Sequence, residues 1–450
     1  MNFKPKTTHT LYFIGIGGIG MSALARYARL KGCTVFGYDS VRTALTDLLS
    51  SEGIAITYTD AVAEIPLKKI PKENALIIYT PAIPEHNAIF NFFKTENYNL
   101  IKRARFLGQV TKNTTCLAVA GTHGKTTTSA ILAHLLAACN MPVTAFLGGI
   151  AENHNSNFIY RGDAITVVEA DEFDRSFLSL SPNIACITTM DADHLDIYGD
   201  ATGIERAFQK FAALVPGPQN LLHKKGLPLN GKTVAIESPA DFEAQNVTIK
   251  DGAYYFNLKT PTATLKNLRL TLPGRHNLHN AVTALGMALM AGAPSDGLPA
   301  ALAGFKGVQR RFTYKIKTEK CVLIDDYAHH PTELDALLRA VNEMYPNDKK
   351  VIVFQPHLYS RTRDFATGFA KSLARFDEVL LLNIYPAREE PIKGIDAHFL
   401  LKKTNNTNVE VITKGQIAER LNASPARIKL LVGAGDIGAE VEKISKKLKR

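Results

Sequence analysis

Seven consecutive residues constrain this chain more than anything else in it: Gly121-Thr122-His123-Gly124-Lys125-Thr126-Thr127. An apolar run precedes them, and a long apolar stretch follows to Cys139. Together these read as strand, loop and helix. Glycines at such a junction let backbone N–H groups converge, and the start of the helix adds positive potential there. That arrangement suits a phosphate. Lys125 can neutralise terminal phosphates, and the Thr126 hydroxyl can bind Mg²⁺. The usual loop, G-x-x-x-x-G-K-[ST], has a further glycine where Val119 stands, so this is a shortened variant. A plain glycine turn with an exposed lysine is the bland alternative, and the strand–loop–helix setting argues against it.

Two acidic clusters follow, Glu169-Ala170-Asp171-Glu172 and Asp191-Ala192-Asp193-His194, each ending an apolar run. In a parallel sheet, ligands gather at the carboxyl ends of strands. Phosphoryl transfer needs oxygen ligands for a metal beside the phosphate loop. Glu169 and His194 are the candidates. Mg²⁺ prefers oxygen, and Mn²⁺ tolerates a histidine better. Taken alone, either cluster reads equally well as a solvated loop.

The chain begins with a second glycine-rich turn, Gly15-Ile16-Gly17-Gly18-Ile19-Gly20, between a short apolar run (10–16) and a helical stretch from Ile19 to about Lys31. Asp39 lies 19 residues past Gly20, at the end of the next apolar run (33–39), where it can reach a ribose hydroxyl. The pattern points to a ligand bearing a pyrophosphate, of which NAD is one example. Later motifs are rich in polar groups. Asn277 and Asn280 are three apart and share a helix face. Arg310 and Arg311 can place a guanidinium on phosphate. Asp325-Asp326-Tyr327-Ala328-His329-His330-Pro331-Thr332-Glu333 is dense in titratable groups, and His357, Arg361 and Arg363 follow another strand end.

Length and composition fit this picture. The 450 residues allow about three domains. Apolar residues make up 46% and charged residues 21%, which excludes long disorder and a small disulfide scaffold. Lys and Arg exceed Asp and Glu by 53 − 42 = 11, which favours anionic ligands without naming one. The five cysteines are widely spaced without a CxxC pair, as in a reducing compartment. No apolar run is long enough to cross a membrane. Strands alternate with helices through residue ~110 and again from 112, residues 233–272 read as antiparallel β decoration, and a third α/β pattern starts near residue 313.

In order, GIGGIGMS, AGTHGKTTT, EADEFDRSFL, DADHLDIYG, PGRHNLHN, GVQRRF, DDYAHHPTE and FQPHLYSRTRD resemble the Mur ligases, the cytoplasmic peptidoglycan-precursor ligases, over essentially the whole chain. The resemblance implies three α/β domains. These are a Rossmann-like UDP-substrate-binding domain (1–111), a P-loop ATP-binding domain with a parallel sheet and a small antiparallel part (112–312), and a Rossmann-like C-terminal ligase domain (313–450). It implies ATP- and Mg²⁺-dependent joining of L-alanine to the lactyl carboxylate of UDP-N-acetylmuramate through an acyl phosphate. That reaction belongs to cell-wall building and so to cell shape and division.

Carried over by motif, Gly121, Thr122, His123, Gly124, Lys125, Thr126 and Thr127 bind ATP, with Asn277, Asn280, Arg311 and Asp326. Thr126, Glu169 and His194 hold the metal. Gly15, Gly17, Gly18, Gly20, Met21, Ser22, Asp39, Ser40, Thr80 and His86 face the UDP sugar, joined by His357 and Arg361. Lys125, Glu169, His194, His329 and Arg361 form the catalytic set, which requires domain closure. Where the family often has Arg after FQPH, this chain has Leu358, so Arg361 or Arg363 would supply that contact. Lys210, sixteen residues past His194, reads as an exposed lysine, although several family members carry a carbamylated lysine in this region.

The implied partners are small molecules, with no nucleic acid or membrane, in a cytoplasmic monomer or weak homodimer. Two other enzymes share parts of the pattern. A recycling ligase that adds a whole tripeptide has the same phosphate loop and AHHPT segment. An NAD-dependent dehydrogenase would explain the first glycine turn and Asp39, but not Lys125 with its acidic partners. The net charge alone raises nucleic-acid binding, against which no basic stripe with interleaved aromatics appears.

Overall fold

The computed structural model describes residues 10–191, 198, 200–250, 252–387 and 389–448, and these carry three sheets. The first contains β1 (Thr10–Ile14), β2 (Thr34–Tyr38), β3 (Ala55–Thr57), β4 (Ala75–Tyr79) and β5 (Leu100–Lys102). All pair in parallel, in the order β3-β2-β1-β4-β5. Leu11 and Phe13 of β1 enter one core cluster, and Tyr12 and Ile14 enter another. Both faces are therefore apolar, as a parallel sheet covered on two sides requires. Strand order reverses at β1, which turns through glycines into the helix Ile19–Leu30.

The second sheet contains β6 (Thr115–Ala120), β7 (Val143–Ala151), β8 (Ser156–Tyr160), β9 (Ile165–Glu169), β10 (Ile184–Ile187), β11 (Leu221–Lys224), β12 (Lys232–Ile236), β13 (Phe242–Lys250), β14 (Ala253–Lys259) and β15 (Thr264–Leu270). Their order is β15-β14-β13-β12-β11-β10-β6-β9-β7-β8. β6 lies between β10 and β9, parallel to both, so its end is again a switch point. β8 closes one edge antiparallel to β7.

Residues 233–272 depart from expectation at their start, because β12 pairs in parallel with both β11 and β13. Alternating side chains say which face is buried but not which way a strand runs. Glu237, at φ 51°, starts the return, and the Asp241 carboxylate fastens it by accepting from the Thr233 N–H and hydroxyl, each at 2.8 Å.

The third sheet contains β16 (Thr313–Lys317), β17 (Val322–Asp326), β18 (Lys350–Phe354), β19 (Glu378–Leu381), β20 (Val409–Val411) and β21 (Ile428–Val432), in the order β16-β17-β21-β18-β19-β20. Only β16 runs antiparallel to its neighbour. Val322, Ile324, Ile352 and Phe354 fill one face, while Leu323, Val351 and Val353 fill the other.

Two compact units result. One takes the chain up to Thr248 with Tyr255–Leu270 and His279–Phe305, and the other takes Ile249–Tyr254, Thr271–Leu278 and the chain from Lys306 on. Within the first unit, the helix Ile19–Leu30 belongs to two sheets at once. Tyr27 packs its ring against Phe146 of β7 and Phe158 of β8, with centroids 5.5 and 6.4 Å away. Asn157 of β8, fully buried, donates to Ile19 O at 2.6 Å and to the Ser22 hydroxyl at 2.9 Å. Arg26 reaches Ser156 at 2.6 Å while its fork holds Glu52. Among the described residues, no helix is long and apolar enough to cross a membrane.

Candidate active site

β6 ends at Ala120, and the loop 121–124 leads into the helix Lys125–Ala138. Gly124 sits at φ 81°, and a Cβ there would lie 2.5 Å from Asn280 Oδ1, so only glycine lets that carboxamide close over the loop. The loop is laced to the segment after β10. The Thr122 and Thr189 hydroxyls are 2.8 Å apart, His123 N–H donates to Thr189 Oγ1 at 2.9 Å, and Thr188 donates to His123 O. His123 Nε2 lies 3.4 Å from an Asp191 carboxylate oxygen.

Lys125 folds back over this loop. Its ammonium donates to Gly121 O at 2.7 Å and to Glu172 Oε1 at 2.9 Å. Burial pushes the ammonium toward neutrality, but the Glu172, Asp171 and Glu169 carboxylates outweigh it and raise its pKa above the ordinary value. Glu172, only 1% exposed, is pushed up by its own burial, against the pull of Lys125. The sequence points to this acidic cluster and favours Glu169 as a metal ligand; the carboxylate that pairs with Lys125 is Glu172, three residues on.

Glu169 stands on the other side of the loop. Thr126 donates its hydroxyl to Glu169 Oε1 at 3.1 Å, and Gly148 N–H donates to Oε2 at 3.1 Å. These are neighbouring hard oxygen donors of the kind Mg²⁺ prefers, so this pair fits the ion. His194, the third expected ligand, lies outside the described residues. Among the described residues, no group of three or more His, Cys, Asp or Glu could by itself hold a metal.

The first glycine turn is braced differently. Gly15 and Ile16 N–H both donate to Tyr38 O, at 2.7 and 3.0 Å. Asp39 accepts from Gly17 N–H at 2.8 Å and from Val41 N–H at 3.1 Å, so its carboxylate pins the turn. Thr80 packs on Gly15, where a Cβ would meet its methyl at 2.8 Å. Ser40 and His86 are exposed. Met21 and Ser22, expected to face the UDP sugar, have side chains that turn into the protein. Both lie on the inner side of the helix, at 2% and 0% exposure, where Asn157 takes the serine hydroxyl.

In the second unit, polar ends of β17 and β18 form a chain of contacts. Asp326 accepts from Phe312 and Ala328 N–H at 2.7 and 2.8 Å. Arg311 stacks over Tyr327, its guanidinium 5.0 Å from the ring centre, and points an N–H to within 4.0 Å of Glu333. Glu333 accepts from His329 N–H at 2.9 Å, and the His329 ring lies 6.0 Å from that of His357. Arg361 Nη1 is 3.4 Å from His357 Nδ1. His329 is pushed below its ordinary pKa, chiefly by burial.

Asn277, on the helix Arg275–Met290 that also carries Asn280, donates to Pro273 O at 2.7 Å. Leu358 is buried at φ 71°, a conformation that side chains avoid, and it opens the helix Tyr359–Asp364. Of the two arginines that could replace the missing one, Arg361 turns inward beside His357, whereas Arg363 is exposed and paired with Asp364. Lys210 is exposed on the helix Ala201–Ala212.

Comparison with known proteins places the chain among relatives of known family. Residues 10–115 match the model of the Mur ligase family catalytic domain, residues 119–288 the Mur ligase middle domain, and residues 310–437 the Mur ligase glutamate ligase domain. The chain is 57% identical over 438 residues to the UDP-N-acetylmuramate–L-alanine ligase of Christiangramia forsetii, covering 97% of each. It superposes on the crystal structure of UDP-N-acetylmuramate-alanine ligase MurC from Thermotoga maritima with a TM-score of 0.83, at 28% identity over 98% of this chain and 99% of that one. A murein peptide ligase from Psychrobacter arcticus shares the fold, with a TM-score of 0.72 at 20% identity over 98% of both chains. With three domain models matched in order and such identity over nearly its full length, the chain belongs to the Mur ligase family.

Proposed function

We propose that the chain is an ADP-forming carboxylate–amine ligase that joins L-alanine to UDP-N-acetylmuramate, the first amino-acid addition to the peptidoglycan precursor. Near-full-length identity to a ligase of that name supports the reading. The observation that carries it is the double engagement of Glu169. One carboxylate touches the phosphate loop through Thr126 and also lines a cavity that opens at Gly20 of the first glycine turn. A reaction between the carboxylate of a UDP sugar and the γ-phosphate of ATP needs these two ligands to meet at one point.

In this reaction a lactyl carboxylate oxygen attacks the γ-phosphorus. The bond to the bridging oxygen breaks, and ADP leaves with the electron pair. Lys125 meets the charge that builds on the transferred phosphoryl group. The alanine amine, once deprotonated, attacks the acyl carbon, and phosphate departs in place of a poor oxide leaving group. His329, kept neutral by its burial, is suited to take the amine's proton. Thr126 and Glu169, with His194, would hold Mg²⁺, which neutralises phosphate charge when bound. Asn277, Asn280, Arg311 and Asp326 are assigned to ATP, and His357 and Arg361 to the UDP sugar. We assign the protein to the cytoplasm, where such nucleotide substrates are kept.

The test is phosphate release from ATP with UDP-N-acetylmuramate and Mg²⁺, comparing L-alanine, glycine, L-serine, the tripeptide and no acceptor. Release with L-alanine, together with an alanine-sized mass gain on the UDP sugar, is the expected result. Activity with the tripeptide alone would move the chain to the recycling branch.

A further inference from the structure

The cavity beside Glu169 has a volume of about 130 Å³, and its lining includes Gly20, Arg103, Phe146, Gly148, Glu169 and Asp171. It touches the first glycine turn at one end and the metal-side carboxylate at the other. Two charged side chains reach it where the backbone carries no side chain. A Cβ on Gly20 would lie 2.6 Å from Arg103 Nη1, and a Cβ on Gly148 would lie 2.2 Å from Glu169 Oε2.

Arg103 is the first residue of the helix Arg103–Thr111. That helix is fixed in place, because Gly108 packs so closely on Ser179 that a Cβ there would be 2.3 Å from its carbonyl oxygen. The guanidinium touches Asp171 through one long hydrogen bond of 3.3 Å and is 23% exposed. One such bond engages one of the five N–H donors an arginine carries.

We infer that Arg103 binds the lactyl carboxylate of the UDP sugar and holds it for attack on the γ-phosphate. The inference rests on the ligase reading above and assigns that reading a residue. A substrate carboxylate drawn toward Glu169 and Asp171 meets two like charges in a partly apolar wall, and it is repelled unless a cation receives it. Among the described residues lining this cavity, Arg103 alone is cationic. Its planar fork matches a carboxylate through two parallel hydrogen bonds. The nucleophile must also stay ionised, and a permanently protonated guanidinium stabilises that form. In the transfer step one carboxylate oxygen forms the bond to phosphorus, while Arg103 holds the oxygen that becomes the acyl carbonyl.

The experiment compares Arg103→Ala, Arg103→Lys and Asp171→Asn with the wild type. Affinity is measured for UDP-N-acetylmuramate and for UDP-N-acetylglucosamine, which lacks the lactyl arm, alongside the KM for ATP and thermal stability. Arg103→Ala should weaken UDP-N-acetylmuramate by about 30-fold and leave the other sugar and ATP within about two-fold. Arg103→Lys should recover only part of the loss. Equal weakening of both sugars would overturn the inference, because Arg103 would then serve the shared UDP part or the fold. So would an Asp171→Asn variant that reproduces the whole Arg103→Ala effect, because the ion pair would then be what matters. If the wild type itself releases no phosphate with any acceptor, the ligase reading fails first and this assignment falls with it.

Discussion

After β1 the chain turns through Gly15–Gly18 into one helix, and after β6 it turns through Gly121–Gly124 into another. Both turns sit where strand order reverses in a parallel sheet. Both place a helix N-terminus, with its positive potential, at the ligand edge. Their surroundings differ. The first turn is pinned by a carboxylate, Asp39, which accepts from the Gly17 N–H. The second carries Lys125, held between loop carbonyls and a buried Glu172, with Glu169 and Thr126 alongside. The shared backbone plan suits an anion in each case. The side chains around it decide whether that anion is only held or is made to react.

This contrast can be broken at either turn. Lys125→Ala should have the largest effect, a fall in kcat of at least about 10³-fold in a protein that still folds but melts earlier, since Glu172 loses its buried partner, checked by phosphate release and calorimetry. Retained turnover would erase the functional difference between the turns. Gly124→Ala should follow, costing about 10²-fold in kcat/KM for ATP, because the new methyl collides with the Asn280 carboxamide at a backbone angle that favours glycine. Asp39→Ala should raise the KM for the UDP sugar by about 10-fold and leave that for ATP within two-fold. An effect confined to ATP would invert the assignment of the two turns. Asn157→Ala should be mildest, lowering stability by about 1–2 kcal/mol in denaturant unfolding while kcat at saturating substrate is kept, since it removes the buried bonds to Ile19 and Ser22.

Both turns were legible in the sequence because their information is local: apolar strand, glycines, apolar helix. The strands around Val35, Ile77, Val353 and Leu430 were legible for the same reason. What escaped depends on residues far apart in the chain. Arg103 stands in the run Lys102-Arg103-Ala104-Arg105, which reads as ordinary surface charge until the fold brings it to Asp171, 68 residues away. Asn157 is one polar residue in a short edge strand, and its partners lie 135 or more residues back. Glu172 was visible as one acid in a cluster, but which acid meets Lys125 is set by the turn after β9. The direction of β12 was hidden because alternation is identical for parallel and antiparallel pairing. Met21 and Ser22 belong to the glycine motif by sequence, and only the fold shows that the helix turns their side chains inward.

The helix Ile19–Leu30 has one further consequence. It starts at the first glycine turn and is bolted along its length to β7 and β8, so it joins the two sheets of the first unit as a rigid crossbar. The span from Gly20 to Glu169 is then set when the chain folds, before any ligand arrives.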